Sequence, residues 1–156
     1  MKKALLLCAS HVAVLVAGIG LGIYALPILI APAAPTGAEA AAASADAAYT
    51  GRFVRDLKGS DALHWGEGAV SVGRRHIVLD GRLAPGPDYK LYLSPAFVET
   101  EADFLRLKPQ MRRVGDVRTF ENFIVPVPDG IDVAQYKAVV VWCETFSQFI
   151  TAASYQ

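Results

Sequence analysis

The sequence predicts an all-β fold, a small antiparallel β-sandwich or a barrel-like variant of one, behind an apolar amino-terminal segment. From Tyr49 onward, short runs of alternating apolar and polar residues are separated by Gly, Pro and Asp at short intervals, which is typical of short strands joined by turns. The same region lacks the helical crossovers that a parallel sheet needs. We expect about seven to nine short strands in this region, enough for two packed sheets.

The composition argues against nucleic acid as a partner. Among the 156 residues, 15 Lys and Arg balance 15 Asp and Glu, so the formal net charge is zero. The basic pairs Arg74-Arg75 and Arg112-Arg113 are too short to form a basic patch. Hydrophobic residues make up 53% of the chain and the mean hydropathy is +0.33, and the amino-terminal segment accounts for much of this apolar excess.

Residues 1–31 are predicted to be a membrane anchor or signal segment. Lys2 and Lys3 precede an uncharged run, Ala4 to Ile30, that exceeds the roughly 20 residues needed to cross a bilayer. The apolar core of a cleaved signal peptide is shorter, about 7 to 15 residues, so the run favours a retained anchor. A cleaved, secreted form stays open because Ala38-Glu39-Ala40 has the small-x-small pattern of a cleavage site. Since basic flanks stay in the cytoplasm, the rest of the chain is expected in the periplasm or the extracellular space.

The segment after the anchor is expected to be a linker. Residues 32–48 are rich in Ala and Pro and show no apolar period. The folded domain is predicted at residues 49–156. Its first strand covers Tyr49 to Leu57 and ends in a turn from Lys58 to Asp61.

A hairpin is predicted next. Strands at 69–72 and 76–79 flank a turn at 73–75. The dipeptide Asp80-Gly81 favours a second tight hairpin directly after them.

The middle of the domain combines strands with a surface excursion. The turn Ala84 to Asp88 precedes a strand at 89–93. Residues 96–114 carry weaker apolar spacing and more charge, so we expect a surface excursion with at most one short helix near 100–107. A strand region resumes at 116–125.

The strand from Val139 to Cys143 is the most strongly β-forming run in the chain, since it consists of three valines, a tryptophan and a cysteine. A short helical turn is expected before it at 132–135, and a last strand carrying Phe146, Phe149 and Tyr155 after it. Alternation assigns its side chains to two apolar faces, as expected of a central strand. The faces consist of Val139, Val141 and Cys143 on one side and Ala138, Val140 and Trp142 on the other.

Several groups of residues make the region from Tyr49 to Tyr155 similar to the DM13 domain family. These are Gly51, Phe53, His64, Trp65, Gly68, Gly86-Pro87-Asp88, Leu93-Ser94, Tyr136, the run Val139 to Cys143, and Phe146. The resemblance implies a small β-sandwich-like extracellular domain for which electron transfer or redox chemistry has been proposed, mainly on account of the cysteine. It therefore implies an electron-transfer or thiol-redox role centred on Cys143, with a redox protein as partner. The contact with the membrane is expected through the apolar residues 4–30.

Cys143 is the single cysteine outside the apolar segment, and it is our candidate catalytic residue. Cys8 lies inside that segment, so no intrachain disulfide is expected. A lone thiol that does redox work needs a second thiol from another chain or cycles through sulfenic acid. The alternative is a non-catalytic interaction module at the cell surface or in the periplasm, in which Cys143 is a packed core residue.

A bound haem is a further alternative, although the sequence identifies no cofactor. His64, His76, Met111 and Cys143 are residue types that ligate iron, but no Cys-x-x-Cys-His motif for covalent attachment is present. No nucleophile elbow or phosphate-binding loop accompanies the serines, so any activity is expected to be redox.

Overall fold

A computed structural model describes all 156 residues of the chain. It contains three α-helices, eight β-strands and two 3₁₀ turns. The helices are α1 (Lys2–Ile30), α2 (Gly37–Ala43) and α3 (Glu101–Leu107), and the strands are β1 (Ala47–Phe53), β2 (Gly66–Gly73), β3 (His76–Leu83), β4 (Tyr89–Ser94), β5 (Arg112–Val117), β6 (Glu121–Pro126), β7 (Ala138–Cys143) and β8 (Gln148–Ser154). The predicted helical turns are found in α3 and in the 3₁₀ turn Val133–Gln135.

The strands form two four-stranded antiparallel sheets, which confirms the predicted fold class. The first sheet has the order β1-β2-β3-β6 and the second has the order β5-β4-β7-β8. The main hydrophobic core lies between them and includes Val70, Leu79, Leu91 and Ile150. Burial of these side chains is the largest favourable contribution to folding, about 1.5–3 kcal/mol for each one.

A second, smaller core lies on the outer face of the second sheet, beneath α3. Phe104 of α3 is fully buried there against Val140, Trp142 and Phe149. Thr100 caps the amino terminus of α3 by accepting a hydrogen bond from the Asp103 amide. α3 covers the outer face of β7 and β8, and the first sheet covers their inner face, so both faces are shielded from water.

β7 lies in the interior of its sheet, between β4 and β8, as predicted. All six of its residues are buried. The predicted alternation is also found: Val139, Val141 and Cys143 belong to the main core, whereas Val140 and Trp142 belong to the second core.

The Asp80-Gly81 hairpin prediction was wrong. Both residues lie inside β3, where Gly81 pairs with Gly68 of β2 and the register with β6 shifts. Gly81 also donates its amide hydrogen to Asn122 Oδ1 at 3.0 Å. The glycine therefore permits close approach of two strands instead of a reversal of the chain.

Other boundaries also differ from the predictions: β1 begins at Ala47, β2 begins at Gly66, and β3 extends to Leu83. β5 begins at Arg112, inside the predicted surface excursion. This strand was not predicted because it is an edge strand with two exposed arginines and little apolar pattern. The first strand ends at Phe53 rather than at Leu57. Phe146 lies in the turn before β8 and is exposed.

The segment predicted as a linker contains α2, which packs on β3 and β6. Thr36 and Glu39 form a reciprocal capping box at its start, and Ala40 is buried. The division of the chain at residues 1–31, 32–48 and 49–156 stays a prediction.

The amino-terminal helix α1 is long and apolar enough to cross a membrane. None of its residues is buried by the rest of the chain. A helix with this composition is compatible with a membrane anchor or a signal sequence.

Candidate functional site

The candidate residue Cys143 is the last residue of β7. It pairs with Tyr89 of β4 on one side and with Gln148 of β8 on the other. The residue is 2% exposed, and no disulfide is formed. The rigid sheet therefore fixes the sulfur at one end of the main core.

The thiol of Cys143 is hydrogen-bonded to the backbone. Its Sγ donates to the carbonyl oxygen of Pro87 at 3.0 Å. Burial raises the pKa of this thiol, and the nearby carboxylates of Asp88 and Glu144 raise it as well. The backbone amides of Phe146 and Thr145 lower the pKa; the effect of the Phe146 amide exceeds that of either carboxylate but not that of burial. At neutral pH the group is accordingly a thiol, not a thiolate.

The loop at 84–88 supplies the carbonyl group that faces this sulfur. Tyr89 holds the loop in place, since its hydroxyl donates to the Ala84 carbonyl oxygen at 3.0 Å. The Tyr89 ring lies directly against Gly86, where a Cβ atom would collide with the phenol. Gly86 is thus required for packing, which explains its place beside Pro87 in the motif.

Asp88 connects this loop to the turn that follows Cys143. It has a left-handed backbone with φ of 55°, and its carboxylate accepts from Thr145 Oγ1 at 3.0 Å and from Lys90 Nζ at 2.6 Å. The backbone amide of Glu144 donates to the Asp88 carbonyl oxygen at 3.2 Å. The hydrogen bond from Lys90 is the main cause of the lowered pKa of Asp88. Hydrogen bonds therefore join the loop at 84–88 to the turn that follows Cys143, beside the sulfur.

Cys143 borders an apolar cleft of about 190 Å³ at this end of the domain. His64 lines the same cleft, and its Nδ1 is 2.8 Å from Asp61 Oδ2. The other lining residues are Gly20, Ile23, Tyr24, Leu63, Pro85, Gly86, Pro87, Tyr89, Phe146, Gln148 and Ile150. The structure thus brings together His64, the Gly86-Pro87 pair, Cys143 and Phe146, which are separate in the sequence.

The four residues of iron-ligating types do not converge. His76 begins β3, and Met111 packs against the second core, whereas His64 and Cys143 share the cleft. No group of three or more His, Cys, Asp or Glu side chains has the arrangement of a metal site.

An aromatic cluster on the other face of β7 was missed by the sequence analysis. Trp142 stacks on Phe104 with ring centroids 3.9 Å apart, and Tyr92 meets Phe104 edge to face at 5.3 Å. The Tyr92 hydroxyl donates to Glu144, which also pairs with Lys108 at 2.7 Å. Although burial would raise it, the pKa of Glu144 is lowered by the hydrogen bonds from Lys108 and Tyr92.

The consecutive residues Trp142, Cys143 and Glu144 therefore supply an indole, a thiol and a carboxylate at the end of β7. The indole lies on one face of the sheet and the thiol on the other. Strand alternation alone predicted these two faces, but the partners on α3 depend on contacts distant in sequence.

Comparison with known proteins gives one match. The family model described as Electron transfer DM13 matches residues 56–155, which is more than half of the chain. The matched region begins just after β1, extends to the end of β8 and includes Cys143 and the loop at 84–88. No curated protein and no solved structure matches the chain.

Proposed function

This chain belongs to the electron-transfer DM13 family, and from this premise we propose that it is a membrane-anchored domain outside the cytoplasm that transfers electrons through Cys143. The chemistry we assign to Cys143 is thiol–disulfide exchange with a redox protein. A single thiol can take part in such exchange when the partner supplies the second sulfur.

The proposed location rests on α1. Its length and apolar composition fit a bilayer span. Lys2 and Lys3 precede the uncharged run and would stay in the cytoplasm by the positive-inside rule. Everything after Ile30 is then outside, where disulfides persist and a thiol can exchange with them.

The observation that carries the redox proposal is the position of the sulfur. Cys143 is the single thiol of the β domain, and it lies at an apolar cleft at one end of the sandwich instead of in the centre of the core. The turn that follows it and the loop at 84–88 are hydrogen-bonded to each other and to the sulfur. This arrangement fixes the direction from which a partner sulfur can approach.

The exchange conserves sulfur atoms and electrons. The thiol first loses its proton to solvent, and the thiolate attacks one sulfur of an oxidised partner, so that a new S–S bond forms as the partner's S–S bond breaks. The leaving sulfur departs as a thiolate with the electron pair. One thiolate of a reduced dithiol donor then attacks the Cys143 sulfur of the mixed disulfide, so that a donor–Cys143 bond forms and the acceptor sulfur leaves as a thiolate. The second donor thiolate attacks the donor sulfur of this new bond, which forms the donor disulfide and releases Cys143 as a thiolate. One electron pair passes from donor to acceptor in each cycle.

The raised pKa of Cys143 limits the rate of this exchange. Because the thiol is mostly protonated at neutral pH, exchange is slow there and accelerates as the pH rises. The backbone amides of Thr145 and Phe146 favour the thiolate once it has formed. They are the groups in this site that would stabilise an attacking sulfur.

The test uses the full-length chain carrying Cys8→Ser, so that Cys143 is its only thiol. In the native state, incubation with oxidised glutathione should give one mixed disulfide per chain by intact mass, and a dithiol should reverse it. The matched control, Cys8→Ser with Cys143→Ser, should give none. A native chain that forms no adduct, but forms one in denaturant, overturns the proposed exchange at Cys143.

The second candidate function is an interaction module in which Cys143 is only packed. Its support is the 2% exposure of the residue, its hydrogen bond to Pro87 and its raised pKa. This candidate shares the anchor and the location outside the cytoplasm. It predicts that native Cys143 is inert to disulfides, so the same experiment separates the two functions.

A further inference from the structure

The carboxyl-terminal part of α1 borders the β domain. Gly20, Ile23 and Tyr24 line the Cys143 cleft. The following turn and a half, from Leu26 to Ile30, borders a second cavity on the other side of the loop at 84–88. The helix therefore runs past the end of the sandwich instead of ending at a distance from it.

The length of α1 exceeds the thickness of a bilayer. Its 29 residues span about 43 Å at a rise of ~1.5 Å per residue. The hydrocarbon core is about 30 Å thick, and a typical tilt of about 20° takes up only a few ångströms of the difference. With Lys2 and Lys3 at the inner surface, the outer boundary of the hydrocarbon falls near Ile23 and Tyr24. Tyrosine is enriched at this depth in membrane proteins.

A cluster of charges gives an independent limit on the depth. Lys90 Nζ is 2.6 Å from Asp88 and 3.0 Å from Asp116, and Arg118 is 3.5 Å from Asp116. All four side chains border the second cavity, together with Leu26 to Pro32. Charged groups are costly in hydrocarbon, so the face of α1 that borders these charges lies in the headgroup region.

Exposed apolar side chains lie closer to the membrane boundary. Leu63 is 57% exposed and Phe146 is 51% exposed, and both line the cleft together with Ile23 and Tyr24. Apolar groups therefore face the part of α1 at the hydrocarbon boundary, and charged groups face the part beyond it. This order is the one expected of a surface that enters a bilayer interface.

The connection to α1 holds the domain near the membrane. Residues 31–36 separate α1 from α2, and α2 packs on the β-sheet. Asn122 Nδ2 donates to the Pro35 carbonyl oxygen at 2.9 Å, which fixes the connection itself to the domain. A long stalk that would lift the domain away from the bilayer is not formed.

The geometry points to a membrane-contacting surface made by Leu63 and Phe146, whose partner is the outer lipid interface of the bilayer that α1 spans. This inference depends on the anchoring part of the proposed function and not on the chemistry of Cys143. The mouth of the cleft then opens at the level of the lipid headgroups. A redox partner of Cys143 must present its disulfide at this level, as a protein seated at the membrane would.

The test measures quenching of tryptophan by brominated lipids in the full-length chain. The variant Phe146→Trp is reconstituted into phosphatidylcholine vesicles with bromine on the acyl chains. The control is Phe97→Trp, because Phe97 is 43% exposed and follows Ser94, the end of β4 that lies ~17 Å along the strand from Tyr89. Trp65 and Trp142 are common to all chains, so the parent protein supplies the background. Leu63→Trp tests the same surface independently of the Phe146 position.

We expect tryptophan at residue 146 or 63 to be quenched at least about twofold more than tryptophan at residue 97, as for groups buried ~5–10 Å into the interface. Flotation of the vesicles tests the anchor in the same samples. If the protein floats and positions 63, 146 and 97 are quenched equally, the contact surface is refuted while the anchor stands. If the protein does not float with the vesicles, the anchor and the contact are both refuted.

Discussion

At the scale of single residues, packing and the proposed chemistry favour opposite protonation states of Cys143. Packing at the end of β7 and donation to Pro87 favour the neutral thiol, whereas exchange with a disulfide needs the thiolate. The Thr145 and Phe146 amides reduce this conflict but do not remove it. The residue therefore contributes to stability as well as to the proposed chemistry.

Replacing Cys143 should reveal the stabilising contribution. Cys143→Ala removes the donor to Pro87 and leaves a small void, so the free energy of unfolding should fall by about 1–2 kcal/mol. Cys143→Ser keeps a donor of similar size and should lose less. Denaturant unfolding followed by tryptophan fluorescence measures both variants, with Cys8→Ser as the control. An alanine variant as stable as the parent would show that the side chain does not contribute to the core.

At the scale of single elements, some features were predictable because they depend on local periodicity. The two faces of β7 follow from a period of two and were confirmed, because Cys143 packs in the main core and Trp142 in the second. The one short helix allowed near 100–107 was also found. The dipeptide Asp80-Gly81 gave a wrong hairpin prediction because a dipeptide signal is local. The pairing of Gly81 with Gly68 is a contact between two strands, which the dipeptide does not encode. The local pattern around β5 was too polar to identify an edge strand.

The candidate site was predictable only in part for the same reason. Cys143 stood out because few residue types perform redox chemistry. Its hydrogen bond to Pro87 joins residues 56 positions apart, and no local pattern encodes such a contact. The family resemblance named Gly86-Pro87-Asp88 and Cys143 together but gave no distance between them.

The contact between β2 and β3 provides a test at this scale. Gly68 has φ of +130°, and a Cβ atom at this position would collide with the Asp80 carbonyl oxygen. Gly68→Ala should therefore destabilise the domain by about 1–3 kcal/mol. Gly37→Ala is the control because nothing lies within 4 Å of its added Cβ atom. Equal unfolding midpoints for the two variants would contradict the close approach at Gly68.

At the scale of the whole molecule, the sandwich buries several groups that can lose a proton. Burial raises the pKa of Tyr89, Tyr92 and Tyr155, and also that of Cys143. These side chains are spread over both cores and the end of the chain. Their neutral forms are therefore a property of the fold as a whole.

Alkaline pH should destabilise the domain as a consequence. A pKa that is raised in the folded state stabilises the fold below the unfolded pKa, and this contribution is lost as the pH rises from the unfolded toward the folded pKa. The loss should begin near the ordinary values of 9.0 for cysteine and 10.0 for tyrosine. Denaturant midpoints between pH 7 and 11, with tyrosinate absorbance as a second signal, measure it. Constant stability across pH 9 to 11 would contradict the burial of these groups.

The rate at which Cys143 reacts with an aromatic disulfide reagent tests the central claim most directly. It is measured in the full-length Cys8→Ser chain, in native buffer and in denaturant, from pH 7 to 10. The proposed exchange predicts native labelling that is faster than global unfolding and rises about tenfold per pH unit below the thiol pKa, as the thiolate fraction does. Native labelling that proceeds only at the rate of unfolding would contradict the claim and leave Cys143 as a packed residue of an interaction module.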